Sequence, residues 1–314
     1  EGGLVPPSAN LSMRPVMMIF ERARFTTEVS KLASPSLPVT SPSSCPTSMV
    51  RLAANLSMLF TEHPFIERFR RAAEAGFKAV ECLFPYDTPP ETLSEELQAH
   101  GLQQVLINAP PGDWPRQRGI GALPGEGAAD AAFEQSIDTA LRYATAMKCP
   151  LVHVMSGLRE QGAEESTFVR RLQWASGRAE QSGVRLCVEA LNSRDMPGYL
   201  LDNCDAVLKL LEKVDRSNVG LQLDLYHVQV AEGDVSTRIV QACKSGRLFH
   251  VQIANPPGRH EPGVGELNLP YLLEQLDANG YIGHVGCEYN PSTQDTLASL
   301  KWATNFGIIP RVGS

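Results

Sequence analysis

From residue 50 onward, the sequence repeats one pattern eight times: a short apolar segment, a polar loop and a stretch whose apolar residues follow helical spacing. Continuous apolar segments of this kind are typical of parallel strands that are covered on both faces. We predict strands at 51–56, 79–83, 104–107, 151–155, 185–190, 220–223, 248–253 and 284–287. Eight strand–helix units in about 265 residues have the size of a (β/α)8 barrel. The sequence therefore predicts an α/β protein built on a single (β/α)8 TIM barrel.

The helical stretches fill the intervals between these strands. Apolar spacing and terminal glycines predict helices at 64–74, 92–100, 128–147, 166–181, 204–214, 235–244, 269–279 and 294–304. A doubly wound open sheet is the alternative arrangement, and it usually carries a glycine-rich phosphate-binding turn after its first strand. Here the residues at the end of the first strand and directly after it, 55–58, include no glycine. The barrel is therefore the favoured architecture.

Residues 1–48 differ in composition from the rest of the chain. Twelve of the sixteen residues in 33–48 are Ser, Thr or Pro, a composition typical of disordered linkers. We predict two parts: a disordered Ser/Pro-rich extension over residues 1–48 and a barrel catalytic domain over residues 49–314. A cytoplasmic location is expected. A mitochondrial location is the alternative if the extension, which has four basic and three acidic residues, is a transit peptide.

The charge balance narrows the range of partners. The chain has 28 Lys and Arg against 35 Asp and Glu, a formal net charge of −7. A nucleic-acid or anionic-membrane binder would carry a basic face, and no apolar run approaches the ~20 residues that span a bilayer. We therefore expect a small-molecule substrate, no nucleic acid and no membrane, and we leave a homo-oligomer open. The seven cysteines form no CxxC pair and are expected to be buried reduced thiols.

Four consecutive predicted strands end in side chains that apolar packing does not favour: Glu189, Asp224, Gln252 and Glu288. The carboxyl ends of the strands form the catalytic face of a barrel. Three carboxylates brought together without a cation would be destabilised by desolvation and repulsion. With an amide oxygen they form an all-oxygen set suited to Mg²⁺ or Mn²⁺. We therefore predict a divalent metal site at these four residues.

Four further residues are candidates for substrate binding. His227 follows Asp224 by one helical turn, and a core or surface histidine is the alternative interpretation. Arg259 lies in a Pro/Gly-rich loop after the seventh strand, where it could bind a substrate carboxylate bidentately or remain a solvated loop charge. Asn108 ends the third strand before a rigid Pro-Pro-Gly turn, and Glu81 interrupts the second strand.

Ten short segments carry a specific family resemblance: 53–60, 77–86, 108–113, 152–157, 188–191, 222–224, 250–254, 259–262, 265–268 and 286–289. On these segments, residues 50 to about 305 resemble the hydroxypyruvate isomerase family of the xylose-isomerase-like TIM-barrel superfamily. The resemblance implies that Glu189 and Glu288 are the catalytic acid/base pair. It also implies that both, with Asp224 and Gln252, surround the metal. In related ketose epimerases the position of Gln252 is commonly a histidine.

The activity that the resemblance implies is the interconversion of hydroxypyruvate and tartronate semialdehyde through an enediol. An isomerase or 3-epimerase of a larger keto-sugar or of a 2-oxo-tetronate, on the same barrel, is the nearest alternative. An endonuclease IV-like phosphodiesterase would need several zinc ions, many histidines and a basic DNA-binding face, whereas this acidic chain has seven scattered histidines. A non-enzymatic binding barrel is disfavoured because a bare carboxylate cluster is costly.

Overall fold

The computed structural model describes residues 50–308, so the predicted extension over residues 1–48 lies outside the described residues. Eight parallel strands form a closed barrel in sequence order, and β8 pairs with β1 to close it. The strands are β1 Arg51–Asn55, β2 Ala79–Cys82, β3 Gln103–Asn108, β4 Leu151–His153, β5 Arg185–Glu189, β6 Val219–Asp224, β7 Leu248–Ile253 and β8 His284–Cys287. All eight correspond to predicted strands, and the (β/α)8 barrel is confirmed.

Helices connect the strands around the outside of the barrel. The α-helices of the described residues are α1 Glu67–Glu74, α2 Pro90–Ala99, α3 Trp114–Gln117, α4 Ala128–Ala146, α5 Glu165–Gln181, α6 Cys204–Val214, α7 Leu225–Ala231, α8 Val235–Lys244, α9 Leu269–Ala278 and α10 Thr296–Ser299. The short helices α3 and α7 were not predicted. The single helix predicted over 294–304 is instead α10 followed by a 3₁₀ helix, Lys301–Phe306.

The barrel interior changes character along the strands. Its lower layer is apolar and includes Ala53, Ala79 and Cys187. Two residues further along the same three strands stand Asn55, Glu81 and Glu189, all of them buried, and alternate residues of a strand point to the same face. The interior is therefore apolar below and polar toward the carboxyl ends of the strands, where barrel enzymes place their active sites.

Two other expectations concern the chain as a whole. The six cysteines within residues 50–308 form no disulfide, and five of them are buried. Burial raises the pKa of the Cys149 thiol to about 12, which keeps it protonated. In the part of the chain that the structure describes, no helix has the length and apolar character needed to cross a membrane.

Candidate active site

Three carboxylates meet at the carboxyl ends of the strands. Glu189 and Asp224 are the last residues of β5 and β6, Glu288 directly follows β8, and all three are buried. Nη2 of Arg259 lies 2.7 Å from Oε2 of Glu288 and 3.4 Å from Oδ2 of Asp224. One positive charge therefore faces three acidic groups in a buried site.

Burial changes the proton affinity of all three acids. It raises the pKa of Glu189 well above its ordinary value, and the charges of Glu288 and Asp224 raise it further. Burial also raises the pKa of Glu288 to about 8, although Arg259 opposes the change. The pKa of Asp224 is raised by the same cause, again against Arg259. The upward pKa shifts of these three neighbouring acids mean that Arg259 does not fully offset the cost of burying their charges.

The acids offer ligands suited to a divalent cation. One carboxylate oxygen of Glu189, one of Asp224 and a ring nitrogen of His227 lie within 4.8 Å of one another. Oε1 of Glu189 is buried and has no hydrogen-bond partner among residues 50–308. A buried, unpartnered carboxylate oxygen beside further acids is costly, and a cation would remove much of that cost. The residues present therefore fit a metal ion that prefers oxygen ligands.

His227 presents a hydrogen-bond donor to this site. The backbone N–H of Asn192 donates to its Nδ1 at 3.0 Å, so Nδ1 is an acceptor and the ring proton lies on Nε2. Burial, followed by the charge of Arg259, lowers the pKa of His227 well below its ordinary value, which keeps the ring neutral. Nε2 lies 3.7 Å from Oδ2 of Asp224. In this tautomer Nε2 of His227 carries the ring proton. This atom can therefore donate a hydrogen bond but has no lone pair with which to bind a metal ion.

The aromatic ring of Tyr226 packs against the guanidinium of Arg259. The guanidinium carbon lies 4.9 Å from the centroid of the Tyr226 ring, a cation–π geometry. The Tyr226 hydroxyl donates to Oδ2 of Asp195 at 2.6 Å and accepts from Nη2 of Arg194 at 2.9 Å. The ring is therefore fixed by two polar neighbours, and the guanidinium is confined between the ring and the carboxylates.

Gln252 and Asn108 both line the polar part of the interior. Gln252 is fully buried in β7 and is paired in register with Asp224. Its amide contacts Glu81 and Gln222. Asn108 ends β3, and its Oδ1 is buried with no hydrogen-bond partner among the described residues. This oxygen is an acceptor that a bound ligand could satisfy.

Glu81 is enclosed by protein side chains. Its Oε1 accepts from Nδ2 of Asn55 at 3.0 Å and from Nε2 of Gln252 at 2.7 Å. Its Oε2 lies 2.6 Å from Nε2 of His250. Glu81 has an exposed fraction of 0%. Both of its carboxylate oxygens are therefore engaged by side chains inside the barrel.

Sequence reasoning gave no role to Gln222, which the structure places against Glu189. Its Nε2 donates to Oε2 of Glu189 at 3.0 Å. The sequence signal for this contact is that Gln222 precedes Asp224 by two residues, and alternate strand residues share a face. His153 lies on the other side of Glu189, with Nδ1 3.8 Å from the same oxygen, and burial lowers its pKa to about 3.

Comparison with known proteins identifies the family. The family described as "Xylose isomerase-like TIM barrel" matches residues 69–306. This chain belongs to that family. Within this xylose isomerase-like family, a 2-oxo-tetronate isomerase of Cupriavidus necator is 44% identical over 259 residues, which cover 81% of this chain and 97% of that protein. The relatives at this level of similarity include enzymes named as isomerases.

Two further relatives span the same region of the chain. The hydroxypyruvate isomerase of Escherichia coli is 38% identical over 259 residues, covering 81% of this chain and 98% of that enzyme. The crystal structure of an AP endonuclease, family 2, from Brucella melitensis has a TM-score of 0.78 and 45% identity, and covers 82% of this chain and 99% of that one. The similarity to these xylose isomerase-like proteins therefore covers the whole barrel.

Proposed function

We propose that the protein is an isomerase that interconverts hydroxypyruvate and tartronate semialdehyde (2-hydroxy-3-oxopropanoate). The observation that carries the proposal is the pair of buried glutamates, Glu189 and Glu288, beside Asp224 and one arginine. Their raised pKa values bring proton exchange toward neutral pH, as general acid/base catalysis requires. The relatives named hydroxypyruvate isomerase support the same assignment.

The reaction moves one carbon-bound proton between adjacent carbons. One glutamate removes a proton from C3 of hydroxypyruvate, the C3–H electron pair forms the C2–C3 double bond, and the π pair of the C2 oxo group moves onto O2. The other glutamate delivers a proton to C2, which the electron pair of the C2–C3 double bond binds, while the O3–H electron pair forms the oxo group at C3 and the O3 proton passes to O2. The oxo group is then on C3 and the hydroxyl on C2, and proton exchange with solvent returns both glutamates to their starting protonation states. Glu189 is suited to proton removal because its Oε1 has no protein partner among the described residues.

Four residues would hold a metal ion in this proposal: Glu189, Asp224, Gln252 and Glu288. Mg²⁺ or Mn²⁺ matches their oxygen ligands. When bound, such a cation stabilises negative charge that develops on the oxygens of an enediolate. His227 adds an N–H donor from Nε2, which is directed toward Asp224.

Two other residues can orient the substrate. The guanidinium of Arg259 can bind the substrate carboxylate, since its planar fork fits two carboxylate oxygens. The unpartnered Oδ1 of Asn108 can accept a hydrogen bond from a substrate hydroxyl. Together these groups favour a short 2-oxo acid with a hydroxyl on C3.

A 2-oxo-tetronate is the second candidate substrate, because three relatives named 2-oxo-tetronate isomerase have 42–44% identity to this chain. This acid also carries a 2-oxo group and a C3 hydroxyl, and it is one carbon longer than hydroxypyruvate. The same proton transfer would move its oxo group from C2 to C3. The two candidates therefore share one mechanism and differ in the room that the loops leave beyond C3.

A nuclease activity, which the name of the Brucella protein indicates for that protein, is disfavoured. Among residues 50–308 the group that could hold a metal contains two acids and one histidine, and the proposed tautomer directs that histidine's N–H group toward the site. A site of this kind does not provide the histidine-rich zinc cluster of an endonuclease IV-like enzyme.

Steady-state assays of the purified full chain test the proposal. The chain is first stripped with a chelator and then supplied with Mg²⁺ or Mn²⁺, and hydroxypyruvate and 2-oxo-tetronate are compared. We expect metal-dependent turnover of hydroxypyruvate with the higher kcat/KM. A kcat/KM that is at least tenfold higher for 2-oxo-tetronate would assign the second candidate, and turnover of neither acid would reject both.

A further inference from the structure

A chain of hydrogen bonds continues from Glu189 into the barrel interior. Nε2 of Gln222 donates to Oε2 of Glu189 at 3.0 Å and to Oε1 of Gln252 at 2.6 Å. Nε2 of Gln252 donates to Oε1 of Glu81 at 2.7 Å. Two glutamines thus link two buried glutamates, and only one of these glutamates belongs to the proposed catalytic pair.

The two carboxylates determine which way each amide points. A carboxylate oxygen that carries no proton only accepts hydrogen bonds, so the amide atom that faces it must be nitrogen. At the end near the active site, Glu189 selects the nitrogen of Gln222, whose oxygen is 3.4 Å from the protonated thiol of Cys187. At the other end, Glu81 selects the nitrogen of Gln252. The oxygen of Gln252 must therefore point away from Glu81.

We propose that Glu81 is a positioning residue that directs the amide oxygen of Gln252, rather than its NH₂ group, toward the metal-binding carboxylates. The inference rests on the proposed function, in which Gln252 is a metal ligand. An amide oxygen has two lone pairs, so Oε1 of Gln252 can accept from Gln222 and still offer a lone pair to a cation. A flipped amide would present N–H groups, which cannot ligate a cation.

The surroundings of Glu81 hold it in place for this task. Asn55 donates to the same oxygen as Gln252, and His250 lies against the other oxygen. Gly286 of β8, on the other side of β1, leaves the space that the carboxylate occupies, because a Cβ at this position would overlap both oxygens of Glu81. These contacts of the Glu81 side chain hold its carboxylate against the amide of Gln252.

The same contacts revise the role that the sequence suggested for Glu81. A substrate-binding residue needs an atom that a ligand can reach, whereas Glu81 has an exposed fraction of 0% and both of its oxygens are engaged. Its effect on the reaction is thus exerted through Gln252. Residues that orient metal ligands in this way typically contribute 10–100-fold to metal affinity.

The test is the affinity of the full chain for Mn²⁺, measured by electron paramagnetic resonance without substrate. Glu81→Gln keeps the size of the side chain but removes its acceptor-only character, so the Gln252 amide is free to flip. We expect the Kd for Mn²⁺ to rise about 10–100-fold. Glu232→Gln is the matched control. Glu232 is a largely buried carboxylate that binds Arg238 and the backbone N–H of Cys204 in the helical layer. The Kd of this variant for Mn²⁺ should stay within twofold of wild type.

A second pair of variants separates orientation from general damage. With Gln252→Glu, the side chain at 252 has an oxygen on both sides, so its orientation no longer matters, and the adjacent carboxylates of residues 81 and 252 share one proton. We expect Glu81→Gln to raise the Kd for Mn²⁺ tenfold or more when residue 252 is Gln. The same change should raise the Kd less than threefold when residue 252 is Glu. An equal loss in both backgrounds would indicate structural damage and overturn the inference, as would an unchanged Kd in the single variant. If the wild-type chain binds no Mn²⁺, the metal assignment of the proposed function fails and the inference fails with it.

Discussion

Glu189 and Glu288 are the same residue type, yet the protein holds them differently. One oxygen of Glu189 accepts an amide hydrogen bond from Gln222, and the other has no protein partner within residues 50–308. Glu288 is paired with Arg259 at 2.7 Å. Acids in different environments can take different roles in proton transfer. In the proposed mechanism, this difference suits one glutamate to receiving a proton and the other to delivering one.

Replacing either glutamate by glutamine tests these roles. Glu189→Gln and Glu288→Gln keep the shape of the side chain and remove its capacity to exchange a proton. We expect kcat to fall by about 10²–10⁴-fold, whereas the circular dichroism spectrum should not change. Glu74→Gln, on the outer surface of α1, should leave kcat unchanged. Turnover within tenfold of wild type in either active-site variant would contradict the assignment.

His153 gives the protein a pH-dependent stability. Burial, followed by the charge of His250, lowers its pKa to about 3 from the ordinary 6.5. The unfolded chain therefore binds a proton near pH 6.5 that the folded chain binds only near pH 3, so stability is lost as the pH falls through this range. Between pH 7 and 5, wild type should lose about 2 kcal/mol more free energy of unfolding than His153→Gln. Urea unfolding at both pH values measures this difference, and an equal loss in the two proteins would disprove it.

At the level of secondary structure elements, strand ends and helix starts place the functional groups. Asp224 ends β6, and its carboxylate also accepts from the backbone N–H of Tyr226 at 2.9 Å, so it caps α7. His227 lies in the first turn of that helix and faces back toward Asp224. One residue thus joins a strand to a helix and orients the site's histidine.

The sequence predicted the strands well because each is a short, mostly apolar run of residues. It did not predict α7, because this seven-residue helix begins directly after Asp224, with no loop residues that would mark its start. The role of Gln222 was missed for a different reason. Alternation shows which face a strand residue occupies, but the partner of an amide depends on the register between strands, which the sequence does not display.

Helix α6 offers a test of element stability that is separate from catalysis. Its N-cap, Asn203, accepts a hydrogen bond from the backbone N–H of Ala206 at 2.9 Å. Asn203→Ala removes this acceptor and should lower the free energy of unfolding by about 1 kcal/mol. Denaturant titration measures the change, and kcat should remain that of wild type. A fall in kcat without a loss of stability would show that this helix start acts in catalysis.

At the scale of the whole molecule, the barrel interior has an apolar layer toward the amino ends of the strands and a polar layer toward their carboxyl ends. Small and aliphatic side chains fill the lower interior. Above them, buried acids, amides and histidines form one connected network from Glu81 to Glu189. The fold class and the four strand-end residues could be predicted from the sequence. The positioning role proposed for Glu81 could not, because it depends on which side chains touch inside the barrel.

The central claim is that this barrel moves a carbon-bound proton of a short 2-oxo acid. Nuclear magnetic resonance of hydroxypyruvate with the Mg²⁺-loaded full chain in D₂O tests it most directly. The account predicts conversion to tartronate semialdehyde, with deuterium from the solvent appearing at C2 of the product whenever the catalytic proton exchanges, and no conversion with Glu189→Gln. Absence of both conversion and deuterium incorporation, for hydroxypyruvate and 2-oxo-tetronate alike, would contradict the account.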